Sequence, residues 1–244
     1  MNAFKAVVKK ELQGYFYSPV AYVFIVVFLL ASMGTTFFLA NFFQADQASL
    51  ESFFVFHPWL YLFFMPAIGM RLWSEEKSLG TIELLFTLPV NIPVLIAAKF
   101  IAGWIFVGIT LLLTFPLVIT VGYLGSPDYG MILSSYLGSF FMAGAFLAIS
   151  CAASASTRNQ VISFVVSVII CFILNLLGWG VFANILNKLF PAVVADAISR
   201  FSFSAHFIPL TKGIIDSRDL FYFITVILGA LTINLSILLG SKKN

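Results

Sequence analysis

The residues able to do chemistry are few: 2 histidines, 2 cysteines, 13 Lys and Arg and 10 Asp and Glu among 244 positions. No G-x-S-x-G or H-E-x-x-H pattern occurs, so neither a serine hydrolase nor a zinc protease has its signature. No G-x-x-x-x-G-K-[ST] loop is present to cradle a nucleotide, and the terminal Gly240-Ser-Lys-Lys is too short to serve as one. Cys151 and Cys171 stand alone in apolar runs, which is neither a disulfide framework nor a metal site, and they read as packing residues. His57 reads as an interfacial residue beside Trp59. No catalytic residue, cofactor or metal site is therefore assigned. Binding and positioning remain, and two groups of polar residues are candidates: Glu11, Glu75, Glu76, Gly80, Thr81 and Glu83, and separately His206, Gly213 and Asp216.

The first group lies mostly in Arg71-Leu-Trp-Ser-Glu-Glu-Lys-Ser-Leu-Gly-Thr-Ile-Glu-Leu-Leu-Phe-Thr-Leu-Pro89. Gly80 suits a left-handed helix end. Thr81 can cap a new short helix over 81–88, with Glu83 in its first turn where the helix dipole favours an acid. Pro89 and Pro93 stop it. A connecting loop needs neither the caps nor the apolar Leu84-Leu85-Phe86 tip, so the spacing predicts a rigid docking element.

Glu11 belongs to an N-terminal helix over 2–17. Phe4, Val8, Leu12 and Tyr15 recur at helical spacing, Lys5 and Lys9 flank them, and Pro19 follows. On the helical wheel Glu11 lies among Phe4, Val7 and Tyr15. An acid there is costly against lipid and cheaper against a protein partner, for which Thr81 or Lys77 are candidates.

The elements that must position these residues follow from composition. With 61% hydrophobic and 9% charged residues, the chain has too little charge for a soluble surface, which carries about 25%. Runs without Asp, Glu, Lys or Arg occupy Val20–Ala45, Ser52–Met70, Phe100–Pro127, Tyr129–Thr157, Asn159–Asn187 and Leu220–Ser241. Each can cover the about 20 residues of a transmembrane helix, and none shows the alternation of a membrane β-strand. The expectation is an all-α integral membrane protein with six transmembrane helices at 20–43, 53–73, 96–124, 131–156, 160–183 and 220–240. The basic N-terminus and the uninterrupted apolar run to Phe43 favour an uncleaved first span over a signal peptide. Lys5, Lys9, Lys10, Arg71, Lys77, Lys99, Arg158, Lys242 and Lys243 fall on one side, while 44–51 and 125–130 hold no Lys or Arg. The long fifth loop is the exception, with Lys188, Arg200, Lys212 and Arg218, but with nine against four both termini are still expected in the cytoplasm. The lack of ionised residues in the runs disfavours an ion-coupled carrier. Pro66 and Pro116 should bend spans two and three, and the small-residue run Ser150–Ser156 should allow close helix approach.

Residues 184–219 form the one long outer loop. Pro191 suits a first helical position, with Val194, Ile198 and Phe201 as an apolar stripe and Asp196 with Arg200 as an i,i+4 pair. A second segment, 206–212, ends at Gly213, and Asp216 with Asp219 resembles a capping box. Short helices at the outer interface are predicted, either as a satisfied interfacial loop or as an exit gate or partner site through His206, Gly213 and Asp216.

The Glu-Glu, Gly-Thr and Glu-Leu-Leu elements between Arg71 and Lys99, with Lys10-Glu11-Leu12 and Ser18-Pro19, resemble ABC-2-type ABC transporter permeases over nearly the whole chain. The run His206-Phe207 to Asp216, then Arg218-Asp219, is most similar to gliding-motility (GldF-like) and nitrous-oxide-reductase accessory (NosY-like) permeases. The resemblance implies an elbow helix before the first span and a coupling helix between spans two and three. It implies half of an exporter's pathway in a bacterial cytoplasmic (inner) membrane, with no enzyme activity of its own. The partners implied are a cytoplasmic ATPase dimer, a second permease chain and membrane lipid, with no nucleic acid. A membrane anchor of a motility or envelope machine is the alternative, and an ion-coupled carrier a weaker one.

Overall fold

Pro19 fixes where the first long helix begins, because its ring fits a first helical turn and cannot continue a preceding one. In the computed structural model, which describes residues 3–39, 49–87 and 90–243, α1 (Ala3–Tyr17) ends at Ser18 and α2 (Pro19–Gly34) starts at the proline. A π-helical stretch, Thr35–Leu39, prolongs α2, and the Thr36 hydroxyl donates to the Ser32 carbonyl at 2.7 Å. Asn2 of the expected elbow, 40–43 of the expected first span and Leu88 of the expected coupling helix lie outside the described residues.

The expected second span is made of pieces: α3 (Glu51–Phe54), α4 (His57–Gly69) and the start of α5 (Arg71–Ser78), which runs on past 73, with Pro66 inside α4. A short α6 (Ile82–Thr87) follows. The third is α7 (Ile92–Leu112) and α8 (Pro116–Leu124), parted by a turn where Pro116 restarts the helix. The remaining helices are α9 (Tyr129–Ser156), α10 (Gln160–Leu176), α11 (Gly180–Leu189), α12 (Ala192–Ser199), α13 (Phe203–Thr211) and α14 (Ser217–Lys243). Among the described residues all regular structure is helical.

Four stretches are long and apolar enough to cross a membrane: 19–39, 92–124, 129–156 and 217–241. The other two expected spans are shorter as continuous helices. A break at Met70 separates α4 from α5. The fifth stops at Leu176 instead of 183, because the chain turns at Gly178 to admit α13. A Cβ on Gly178 would stand 2.3 Å from Ser202 Oγ and 3.3 Å from the Ala205 nitrogen. Two further expectations for the outer segment are corrected. Pro191 caps α12 from outside with extended backbone, so Ala195 is its buried residue while Val194 and Phe201 are exposed. Asp196 and Arg200 form no ion pair, although the Arg200 N–H donates to the Asp196 carbonyl at 3.1 Å.

The core is organised around α9, which packs against α14, α4, α10, α13, α7 and α5. Being surrounded, it buries its small residues as well as Met142, Phe146 and Leu147. Gly69 on α4 meets it most closely: a Cβ there would lie 2.3 Å from Ser150 Cβ. Outward-facing residues are apolar too, including Val23, Val26 and Leu30 on α2 and Val161, Ile169 and Ile173 on α10. Faces of that kind suit lipid and not water.

Candidate functional site

A buried cation joins three helices at one end of the bundle. Lys99, on α7, is 2% exposed, and an ammonium taken from water needs opposite charge close by. Its Nζ lies 3.0 Å from Glu11 Oε1 on α1 and 3.1 Å from Glu76 Oε1 on α5, and 5.5 Å above the Trp73 ring. Glu11 thus finds a cationic partner, but it is Lys99 and not Thr81 or Lys77. Lys77 instead donates to the Ala155 carbonyl and, at 3.5 Å, to the Ser241 hydroxyl.

The neighbouring turn is built to hold Glu76. Gly80 has φ +71°, the left-handed conformation that lacks a Cβ penalty only for glycine. The Thr81 N–H then donates to the Glu76 carbonyl at 3.0 Å, the six-to-one bond of a Schellman ending. The Thr81 hydroxyl donates to Glu76 Oε2 and does not cap α6 with its side chain. Burial pushes the Glu76 carboxyl up, but the Thr81 hydroxyl and Lys99 outweigh this and hold it below the usual carboxylate range. Glu75 pairs loosely with Arg71 at 3.7 Å, and Glu83 is exposed in the first turn of α6 beside exposed Leu84.

Behind this triad a second polar layer ties α5 to α9 and α14. Ser154 Oγ accepts from the Trp73 and Ser74 backbone N–H groups, each at 3.0 Å, and donates to the Met70 carbonyl at 2.8 Å. Cys151 Sγ accepts from Trp73 Nε1 at 3.3 Å and Asn234 Nδ2 at 3.0 Å.

At the opposite end His206 clasps the segment before α14. Its Nδ1 is 2.7 Å from Asp219 Oδ1, its Nε2 2.8 Å from the Arg200 carbonyl, and its ring stacks on Tyr222 at 4.0 Å. Asp219 therefore engages His206. Only Asp216 serves the start of α14, accepting from the Arg218 N–H at 2.9 Å. Gly213 has φ +82° and turns the chain over Met131 on α9. His57 is not interfacial: it is fully buried, its Nδ1 2.8 Å from Ser139 Oγ and its ring against Phe53 and Phe54.

A family profile described as ABC-2 family transporter protein matches residues 5–241. The chain belongs to the ABC-2 transporter family. No curated protein matches it. It is a membrane permease component, and permeases of this family generally work with a cytoplasmic ATPase.

Within this ABC-2 permease the residues singled out from sequence divide between two ends. Glu11, Glu76 and Thr81 come together, with Glu75, Gly80 and Glu83 on the same turn and helices, while His206, Gly213 and Asp216 gather around α13 and the start of α14. Lys99 went unassigned because it sits just before an apolar run and reads as one more flanking charge. Its signal was its place within the expected third span. Ser154 and Cys151 lie in the small-residue run read as a place of close approach, but nothing in the sequence marks their hydrogen bonds, and Asn234 carries no signal beyond lying in an apolar helix.

Proposed function

We propose that this chain forms half of an exporter's membrane pathway and receives mechanical input from an ATPase dimer at the α1, α5 and α6 end. A second permease chain would supply the other half. The observation that supports this is the Glu11–Lys99–Glu76 cluster. It fixes the elbow α1, the end of α5 and the start of α7 to one another, next to an exposed Glu83 and Leu84. A force applied to α6 would pass through the Gly80 turn into this cluster, and from Trp73 and Ser154 into α9.

Six crossings are part of the reading, and end-to-end contacts support them. Glu11, just before α2, touches Lys99 near the start of α7, so the chain leaving by α2 must return through α3–α5. Lys77 bonds both the end of α9 and Ser241 near the end of α14, so α10 must carry the chain back before α14 begins. Together with the basic residues these contacts support a reading in which α1, α5, α6 and both termini lie on the cytoplasmic side of a bacterial inner membrane. The likeness to gliding-motility and nitrous-oxide-reductase accessory permeases rests on the His206–Asp219 run and does not name a cargo.

Glu83→Ala and Leu84→Ser change exposed side chains on α6 and leave the triad untouched. Both should lower ATPase co-purification and stimulated ATP turnover at unchanged thermal stability. Parental values in both assays for both variants would move the docking site elsewhere.

A further inference from the structure

Between α1, α2, α4, α5 and α7 lies a cleft of about 390 Å³, within the range of about 300–1,000 Å³ of small-molecule sites. Its lining changes character along its length. One end carries Lys10, Arg71 and Lys99 with Glu11, Glu75 and Glu76, three charges of each sign. The other is formed by apolar side chains of membrane helices, among them Val20, Ala21, Phe24, Ile68 and Phe106. Val20 on the rim is half exposed and continues into the exposed Val23, Val27 and Leu30 face of α2, so the cleft opens towards the acyl layer.

We infer that this cleft holds one zwitterionic phospholipid of the adjoining leaflet, of the phosphate-plus-primary-amine class. The occupant must be amphiphilic, since a soluble metabolite would leave the apolar wall uncovered and a bare hydrocarbon would leave Lys10 and the loosely held Arg71 unmatched. Its head must be near neutral, because the lining charges cancel. Lys10 is exposed and Arg71 is held only by the loose Glu75 contact, so both are placed for a phosphate. Lys99 engages Oε1 of Glu11, which leaves Oε2 able to accept from an ammonium. An anionic head would meet the same carboxylates without an amine to satisfy them. The occupant's head then sits beside the proposed coupling cluster, so membrane composition would act where ATPase motion enters. The leaflet named rests on that reading; the binding does not.

Gly14 gives a clean block, since it lines the cleft and a Cβ there meets nothing within 4 Å. The purified chain, without ATPase, is placed in nanodiscs with photoactivatable phosphatidylethanolamine or phosphatidylglycerol, and adducts are mapped by peptide. Labelling of the 10–24 segment should favour the ethanolamine lipid by about tenfold. Gly14→Trp should abolish that labelling at parental melting temperature. Lys10→Ser, an exposed change, should lower labelling by both lipids without removing fold, since both carry the phosphate it would hold. Equal labelling by both lipids in the parent, or parental labelling in Gly14→Trp, overturns the proposal. Either result leaves ATPase docking, read separately by co-purification, untouched.

Discussion

Lys99 gains its weight from burial and from having two partners. A cation with 3% of its side chain exposed, held by carboxylates 18% and 21% exposed, is balanced only while both remain. Removing one member of a buried ion pair costs about 3–5 kcal/mol, because the survivor keeps its desolvation penalty. Lys99→Met should therefore destabilise the protein by about that amount in thermal or denaturant unfolding in detergent. Adding Glu11→Gln and Glu76→Gln should recover at least half of the loss. No recovery would show that lost packing, not orphaned charge, is responsible. A pH dependence follows from Glu76, whose carboxyl is held below its ordinary value of 4.5. Such a group binds fewer protons folded than unfolded, so its contribution is whole above 4.5 and is lost as pH falls below that, through the folded value. Melting temperature against pH should drop in that window, and Glu76→Gln should flatten this limb.

Helix ends were legible in the sequence where a backbone rule fixes them and illegible where tertiary contact does. Gly80 and Gly213 take the positive φ that their places after helices suggested, and Pro19, Pro66 and Pro116 mark a start, an internal site and a restart. The early stop of α10 at Leu176 was not legible, since it depends on α13 reaching Gly178. Nor was the triad, because Glu11 and Lys99 are brought together only when α1 folds back on α7. The small-residue run of α9 was legible as a place of close approach, but its partner Gly69 was not. At that contact there is no room to yield, since the Ser150 backbone carbon follows at 3.2 Å. Gly69→Val should cost about 1–3 kcal/mol through overpacking. Gly80→Ala should cost about 1 kcal/mol through backbone conformation alone. Gly80→Ala should also reduce ATPase co-purification, whereas Gly69→Val should reduce it only in step with stability.

Across the whole molecule, the number of crossings follows from which helix ends touch, more than from helix length. α10, with 17 residues at about 1.5 Å each, reaches about 25 Å, short of a hydrocarbon core of about 30 Å. Polar groups at its end can make up the difference: Asn175 Oδ1 accepts from the Ser204 hydroxyl at 2.7 Å, and α11 continues after one turn. If α4–α5 and α10 are true crossings, Asp128 before α9 and Arg158 after it lie on opposite sides, with Glu83 on the side of Arg158. If only the four long stretches crossed, α5 and α6 would be stranded on the far side from α1, and the Glu11–Lys99–Glu76 contact would be impossible. Both native thiols are buried, so single cysteines can be introduced against a quiet background. Cysteines at Asp128 and Lys212 should react with a membrane-impermeant maleimide in intact cells. Those at Glu83 and Arg158 should react only after permeabilisation. Labelling of Glu83→Cys, Arg158→Cys and Lys212→Cys from outside with Asp128→Cys protected would reduce the crossings to four and remove the ATPase from α6. Protection of both Asp128→Cys and Lys212→Cys with exposure of Glu83→Cys and Arg158→Cys would invert the protein and remove it as well.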